Sequence, residues 1–340
     1  MASSHPQGNG AQRLRRIWRS RGLAASALLP LAAIYGALSG LQRKLYDWGI
    51  QKAQHPGVTT IVIGNVIAGD AGKTPVTLAT VAHLQARGFK PGIISRGYGR
   101  STQDCRQATA QSRPQDVGDE PLLMARHSGV PVFVARQRID AAWALLATYP
   151  QTDVLVCDDG LQHHALARDI EICVFNNEGI GNGWLLPAGP LREPWPRSVS
   201  AVLYSAPQAP PGTRHNTPCF HVQRHLADYA VRSNGERVAL ASLQKTALHA
   251  VAAIARPEDF FAMLEQQTLT LHSTEGLPDH YDFANWQAPK SPQLQVICTE
   301  KDAAKIRQTL PQALAVPLQL QVDPGYFELL DSQLCLSLPH

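Results

Sequence analysis

Short runs of β-branched and aliphatic residues recur along this chain, separated by stretches whose apolar positions fall at helical spacing. That alternation predicts an α/β protein, a mostly parallel sheet with helices on both faces. The first run, residues 58–63, is followed after a glycine-containing turn by Val76, Leu78, Ala79, Val81, Ala82 and Leu84, an amphipathic helix. Further strands are expected at 90–95, 130–135, 154–157, 170–175 and 201–204, with a helical run beginning at Leu122 and a helix over 139–149. Residues 206–218 are rich in proline and read as a boundary. Beyond them a second alternation predicts strands at 248–255, 268–272, 294–298 and 317–322, and helices at 257–267 and 301–308. The expected organisation is a basic, apolar N-terminal segment (1–52), a core domain (53–218) and a smaller C-terminal α/β domain (219–340).

The N-terminal segment carries no charged residue from Gly22 to Gln42. Its length permits a membrane span, but alanine, serine, glycine and Pro30 dilute its hydrophobicity. The five arginines ahead of it would stay cytoplasmic and so export everything that follows. A helix lying in the cytoplasmic leaflet, held by those arginines, avoids that conflict. No small-residue cleavage site marks it as a signal peptide.

Composition sharpens the reading. With 340 residues, 44% of them hydrophobic, the chain has ample material for real cores. Its net charge of +4 is uneven, because residues 1–52 hold eight basic side chains against Asp47 alone, +7, which leaves −3 for the rest. A positive balance confined to one end argues against general nucleic-acid binding and for an anionic surface met by the N-terminus. The six cysteines show no C-x-x-C and no pairing rhythm, as in a reducing compartment, and the thirteen histidines form no zinc motif.

The strongest chemistry follows the first strand. Ile67-Ala68-Gly69-Asp70-Ala71-Gly72-Lys73-Thr74 opens the first helix in the manner of a polyphosphate cradle, in which backbone N–H groups and the helix N-terminus meet negative charge. Lys73 would reach the β/γ oxygens and Thr74 would ligate Mg²⁺. Ile67 stands where the usual pattern has glycine. The strand at 154–157 ends in Asp158-Asp159-Gly160, where the Mg²⁺-holding acid of such sites sits. A nucleoside triphosphate is the expected ligand.

Other segments read more blandly by themselves. Arg96-Gly97-Tyr98-Gly99-Arg100 is a strand-end loop placed to touch an anionic substrate, or a turn with solvated arginines. Asp119 and Glu120 are acids at a helix N-terminus. Residues 181–194 hold too many glycines and prolines for a long helix or central strand, and form a shaped loop, a substrate wall. His280, in the loop 277–281, reads as a surface histidine beside a carboxylate.

Taken together and in order, Val62-Ile63-Gly64-Asn65, Ala71-Gly72-Lys73-Thr74-Pro75, Ser95-Arg96-Gly97-Tyr98-Gly99, Gly118-Asp119-Glu120-Pro121, Asp158-Asp159-Gly160-Leu161-Gln162-His163, the 181–194 loop, Pro278-Asp279-His280 and Thr299-Glu300-Lys301-Asp302-Ala303 resemble the tetraacyldisaccharide 4′-kinase family of lipid A biosynthesis. The resemblance covers most of residues 40–305. It implies transfer of phosphate from ATP, with Mg²⁺, to the 4′-hydroxyl of a tetraacylated glucosamine disaccharide 1-phosphate at the cytoplasmic face of the inner membrane, with no obligate protein partner. It implies phosphate contacts for Lys73, metal contacts for Thr74, Asp158 and Asp159, and a base, Asp119, working with His280 of the C-terminal domain. Asn65, Arg96 and Gln162 resemble substrate-pocket residues. Two positions depart from the family pattern, Asp70 and Ala253, where glycine is usual. The competing readings are a nucleotide-gated ATPase or switch with a protein partner, and a non-catalytic membrane-surface binding protein.

Overall fold

The structure, a computed structural model, describes residues 14, 16–69, 72–279, 281–289, 291 and 293–337. Its elements are α1 (Leu23–Ala27), α2 (Leu29–Asp47), β1 (Thr59–Gly64), α3 (Lys73–Ala86), β2 (Pro91–Ser95), β3 (Arg106–Ala108), α4 (Pro114–Val117), α5 (Asp119–His127), β4 (Val132–Val134), α6 (Arg138–Thr148), β5 (Val154–Asp158), β6 (Ile170–Phe175), β7 (Ala201–Tyr204) and β8 (Cys219–Leu226). There follow β9 (Tyr229–Val231), β10 (Arg237–Ala239), β11 (Leu248–Ala252), α7 (Pro257–Gln266), β12 (Leu271–Gly276), β13 (Gln295–Thr299), α8 (Glu300–Ile306), β14 (Leu314–Val316), β15 (Leu318–Val322) and α9 (Pro324–Ser337).

The chain forms two compact units, Met1–Gln223 with Val322–His340, and Arg224–Gln321. It leaves the first unit within β8 and returns at the end of β15. The larger sheet has the order β15-β8-β7-β6-β1-β5-β2-β4-β3. From β8 to β4 the pairs are parallel, and β3 closes the edge antiparallel to β4. Its central strands are continuous Val/Ile/Leu runs because both of their faces are covered, and Ile61, Val62, Ile63, Leu155 and Val156 are fully buried. In register, Ile63 of β1 lies opposite Asp158 of β5. The carboxyl end of β1, where the phosphate loop begins, therefore sits directly beside the acidic pair.

The second unit is a six-stranded sheet of order β10-β9-β14-β13-β11-β12. Its β14-β13-β11-β12 portion is parallel and β9 and β10 are antiparallel. Phe260 and Leu264 of α7 pack into the cluster formed with Leu248, Ala250 and Ile297.

Two features differ from the sequence reading. The strand expected at 268–272 begins only at Leu271, because Thr268 takes a left-handed turn (φ 60°) that ends α7 before the strand can start. The second unit starts at Arg224 and stops at Gln321, not at 219 and 340. The cause lies in α9, which belongs to the first unit: Tyr326 is fully buried with its hydroxyl 2.7 Å from that of Thr80, and Asp331 accepts from His83 (2.8 Å) and pairs with Arg87 (3.4 Å). A C-terminal helix thus braces the phosphate-loop helix.

At the other end, α2 shows an inverted distribution of side-chain size. Ala32, Tyr35, Gly36, Ser39 and Gly40 form its inner stripe, while Leu29, Leu31, Ile34, Leu38 and Leu41 stand exposed. A Cβ on Gly36 would lie 2.8 Å from Leu185. Small inner residues allow close docking on the 181–194 loop and leave the large apolar ones outside. None of the described helices is long and apolar enough to cross a membrane. All six cysteines are free, and Cys157, Cys173 and Cys298 are buried as expected of strand thiols.

Candidate active site

Gly72 caps α3 in the left-handed region (φ 79°), a conformation that glycine adopts without the penalty of a Cβ, and the turn delivers Lys73 and Thr74 as the first two helical residues. Upstream, Asn65 donates from Nδ2 to the carbonyl of Gly69 (3.2 Å), bracing the loop across its mouth. Asp70 and Ala71, expected in the cradle, lie outside the described residues. Ala68 donates its N–H to Pro190 (2.7 Å), Arg192 donates its own to Val66 (2.7 Å), and Ile67 bridges Leu191, so residues 66–68 form a short antiparallel pairing with 190–192 that spends the Ala68 amide and ties the start of the cradle to that loop.

The acidic pair splits into two environments. Asp158 is fully buried; Thr77 donates to its Oδ1 (3.1 Å), and its Oδ2 has no partner. Burial pushes its pKa up to about 7, helped by the charge of Glu120 and opposed by Lys73. Asp159 follows with a left-handed backbone (φ 49°) that turns its carboxylate towards cations. Its Oδ1 is 3.6 Å from Lys73 Nζ and 3.3 Å from Arg192 Nη1, and Arg138 donates to its carbonyl (2.7 Å). Burial opposes ionisation there, but Lys73, Arg192 and Arg138 overcome it and hold the carboxyl below its ordinary pKa.

The geometry fits a hard divalent cation. A buried carboxylate oxygen without a partner, beside a helix-opening threonine, is half of an oxygen-ligand set. Among the described residues no three His, Cys, Asp or Glu side chains converge as a self-sufficient metal site. An ion here would need phosphate oxygens to complete its shell, as Mg²⁺ at phosphoryl-transfer sites does.

Gln162 sits at the junction of these parts. It donates from Nε2 to the carbonyl of Asn65 (2.8 Å) and to Glu193 (2.7 Å), while its Oε1 accepts from Arg192 (3.4 Å). Expected from the sequence in the substrate pocket, it ties together the phosphate loop, the acidic turn and the 181–194 loop. Asn65 keeps a buried, unpartnered Oδ1, and Arg96 is exposed at the end of β2.

Asp119 is buried at the start of α5. Gly118 places it: φ is 95°, and a Cβ there would lie 2.9 Å from the carbonyl oxygen of Tyr98. The Arg96–Arg100 loop and the start of α5 thus interlock backbone to backbone. The neighbouring Glu120 is close enough to raise the pKa of Asp158, which sets the start of α5 in the same electrostatic field.

His280 lies outside the described residues. Its loop is held within the second unit by Lys301 to Asp279 (3.4 Å) and by Lys305, which donates to the carbonyl of Tyr281 (3.2 Å). The Thr299-to-Ala303 motif is structural. Thr299 caps α8, accepting from the N–H of Asp302 and donating to its carboxylate (2.7 Å), which also accepts from the N–H of buried Ala253 (2.9 Å).

One side chain of this cluster, Arg192, was not singled out from the sequence. Its only signal was a basic residue inside a glycine- and proline-shaped loop, the same signal that marked Arg96.

With this geometry established, comparison with known proteins is direct. The family model described as tetraacyldisaccharide-1-P 4′-kinase matches residues 24–335. The tetraacyldisaccharide 4′-kinase of Acidovorax sp. (strain JS42) is 58% identical over 324 residues, 95% of each chain. That of Delftia acidovorans is 57% identical over 332 residues, 96% of this chain and 97% of the relative. Among solved structures, the "apo" form of LpxK from Aquifex aeolicus in complex with ATP matches with a TM-score of 0.79 at 25% identity, over 92% of this chain and 99% of that one. A phosphate-loop helix facing a split acidic pair, matched over nearly the whole chain, makes this protein a member of the tetraacyldisaccharide 4′-kinase family.

Proposed function

We propose that this chain moves the γ-phosphoryl group of ATP to the 4′-hydroxyl of a tetraacylated glucosamine disaccharide 1-phosphate through the Lys73, Asp158, Asp159 and Arg192 cluster. The observation that carries this reading is the buried carboxylate of Asp158, its Oδ2 without a partner, beside a Lys73–Asp159–Arg192 ion cluster at the start of α3. Lys73 neutralises charge on the transferring group, and Arg192 shares Asp159 with it so that neither cation is locked. When bound, Mg²⁺ would be held by Thr74, Asp158 and Asp159 and would offset the charge of the β- and γ-phosphate oxygens. Asp119 takes the proton from the acceptor hydroxyl, with His280 as its partner, as the family resemblance implies.

The enzyme works from the cytoplasmic leaflet, seated there by the exposed leucines and isoleucine of α2 and by the arginines ahead of it. A row of exposed large apolar side chains along one helix supports a lipid surface as its neighbour. The deciding experiment is incubation with γ-labelled ATP and a lipid disaccharide 1-phosphate. Label on the lipid, lost in Lys73→Ala and Asp159→Asn, supports the reading. ATP turnover that ignores the lipid acceptor supports a nucleotide-gated switch instead.

A further inference from the structure

Arg192 owes its position more to its peptide than to its head group. Its guanidinium contacts with Asp159 (3.3 and 3.4 Å) and Gln162 (3.4 Å) lie at the long end of hydrogen bonding. Its backbone, by contrast, is fixed by two short bonds on opposite sides: its N–H donates to Val66 (2.7 Å), and its carbonyl accepts from the hydroxyl of Tyr35 (2.7 Å). The first bond ties it to the phosphate loop, and the second ties it to α2.

We propose that Tyr35 is a positioning residue of the phosphoryl-transfer site, its hydroxyl fixing the Arg192 peptide so that the guanidinium stays on Asp159. This rests on the roles proposed above for Lys73, Asp159 and Arg192. With Arg192 in place, Asp159 divides its charge between two cations, and Lys73 is held only loosely at 3.6 Å. If the Arg192 peptide drifts, Asp159 turns wholly to Lys73 and competes with the phosphate for it. The effect is expected on the transfer step, because the bond acts on Arg192 and through it on Asp159 and Lys73.

The rest of the N-terminal segment is fastened to the same loop independently. Trp18 donates from its indole to Pro187 (2.9 Å), Arg21 donates to the carbonyl of Asn182 (3.0 Å), and Asn182 returns its N–H to Trp18 (2.8 Å). Removing one hydroxyl therefore leaves α2 docked and isolates the link to Arg192.

The test is a double-mutant cycle of Tyr35→Phe with Arg192→Ala in the full chain, assayed with γ-labelled ATP and the lipid acceptor. Tyr35→Phe is expected to lower kcat about 5-fold, roughly the worth of one hydrogen bond. Both KM values should stay within about 2-fold, with vesicle binding unchanged and the thermal midpoint lowered by no more than the few degrees one hydrogen bond is worth. In the Arg192→Ala background the same substitution should do nothing further. An unchanged kcat, a rise in KM for the lipid alone, or losses that multiply in the double variant would each overturn the positioning role. Lys73→Ala, run in parallel, guards the underlying reading: if it retains label transfer, the site assignment itself fails, whatever Tyr35 does.

Discussion

Asp158 and Asp159 are neighbours in sequence and opposites in chemistry. Burial keeps the first from ionising readily, while three cations hold the second charged, so a single dipeptide offers both a carboxylate in need of a cation and a fixed counter-charge. Removing either charge should lower kcat on the order of 10²-fold or more, a loss typical of groups acting on developing charge. Labelled-phosphate transfer by purified Asp158→Asn and Asp159→Asn checks this. If Asp119 is the base and His280 its partner, as proposed, the two act as one unit, and Asp119→Ala and His280→Ala should be strongly non-additive. Losses that simply multiply in the double variant would leave Asp119 as a helix-start acid.

A pH effect belongs to the same turn. His163 accepts from the N–H of Arg138 (3.3 Å), which requires a neutral ring nitrogen, and burial with the nearby arginines lowers its pKa to about 4. The unfolded chain takes up that proton near pH 6.5, so stability from this group is complete above that pH and falls as pH drops towards 4. Thermal midpoints at pH 7.5 and pH 4.5 should differ less in His163→Gln than in the unsubstituted chain. An equal drop in both would mean that His163 is not the group that titrates. Lys73 and the acidic pair were legible in the sequence because their chemistry is written in contiguous motifs. Arg192 was not, since its place depends on residues 190–192 pairing with 66–68, a contact that periodicity cannot show.

At the scale of elements, the strands that could be read were those buried on both faces, whose continuous apolar runs leave no ambiguity. The short strands β3, β9 and β10 and the half-exposed β12 carry weaker patterns, and α9 has apolar residues too evenly spread to stand out. Helix α2 is instructive in the other direction. Its uncharged stretch was plain, but only the structure shows that its small residues face inward and its large ones outward. Ile34→Ser with Leu38→Ser should therefore reduce binding to lipid vesicles and leave the thermal midpoint nearly unchanged, because exposed substitutions usually shift stability by less than about 0.5 kcal/mol. Gly36→Leu should do the reverse, since its side chain must displace Leu185. Co-sedimentation and a melting curve for each variant separate the two faces. Equal loss of binding in both would mean that the helix is seated by its fold contacts and not by its exposed stripe.

Over the whole molecule, charge is arranged so that one end is basic and the remainder is slightly acidic. Arg16 and Arg19 are exposed in the segment ahead of α1 and α2, while Arg21 turns inward to Asn182 and lies over the Trp184 ring. Two forces should then act on membrane binding, an apolar one from α2 and an electrostatic one from the flanking arginines, the latter roughly 1 kcal/mol for each basic residue near an anionic leaflet. They respond differently to salt, since screening at high ionic strength removes the second and leaves the first. Binding to vesicles containing anionic lipid should fall as salt rises until it meets the weaker, salt-insensitive binding to neutral vesicles. Arg16→Gln with Arg19→Gln should narrow the gap between the two curves without touching the neutral-vesicle value. Binding that is equally strong on neutral lipid and indifferent to salt would mean that the arginine cluster has another partner, and that α2 alone seats the enzyme.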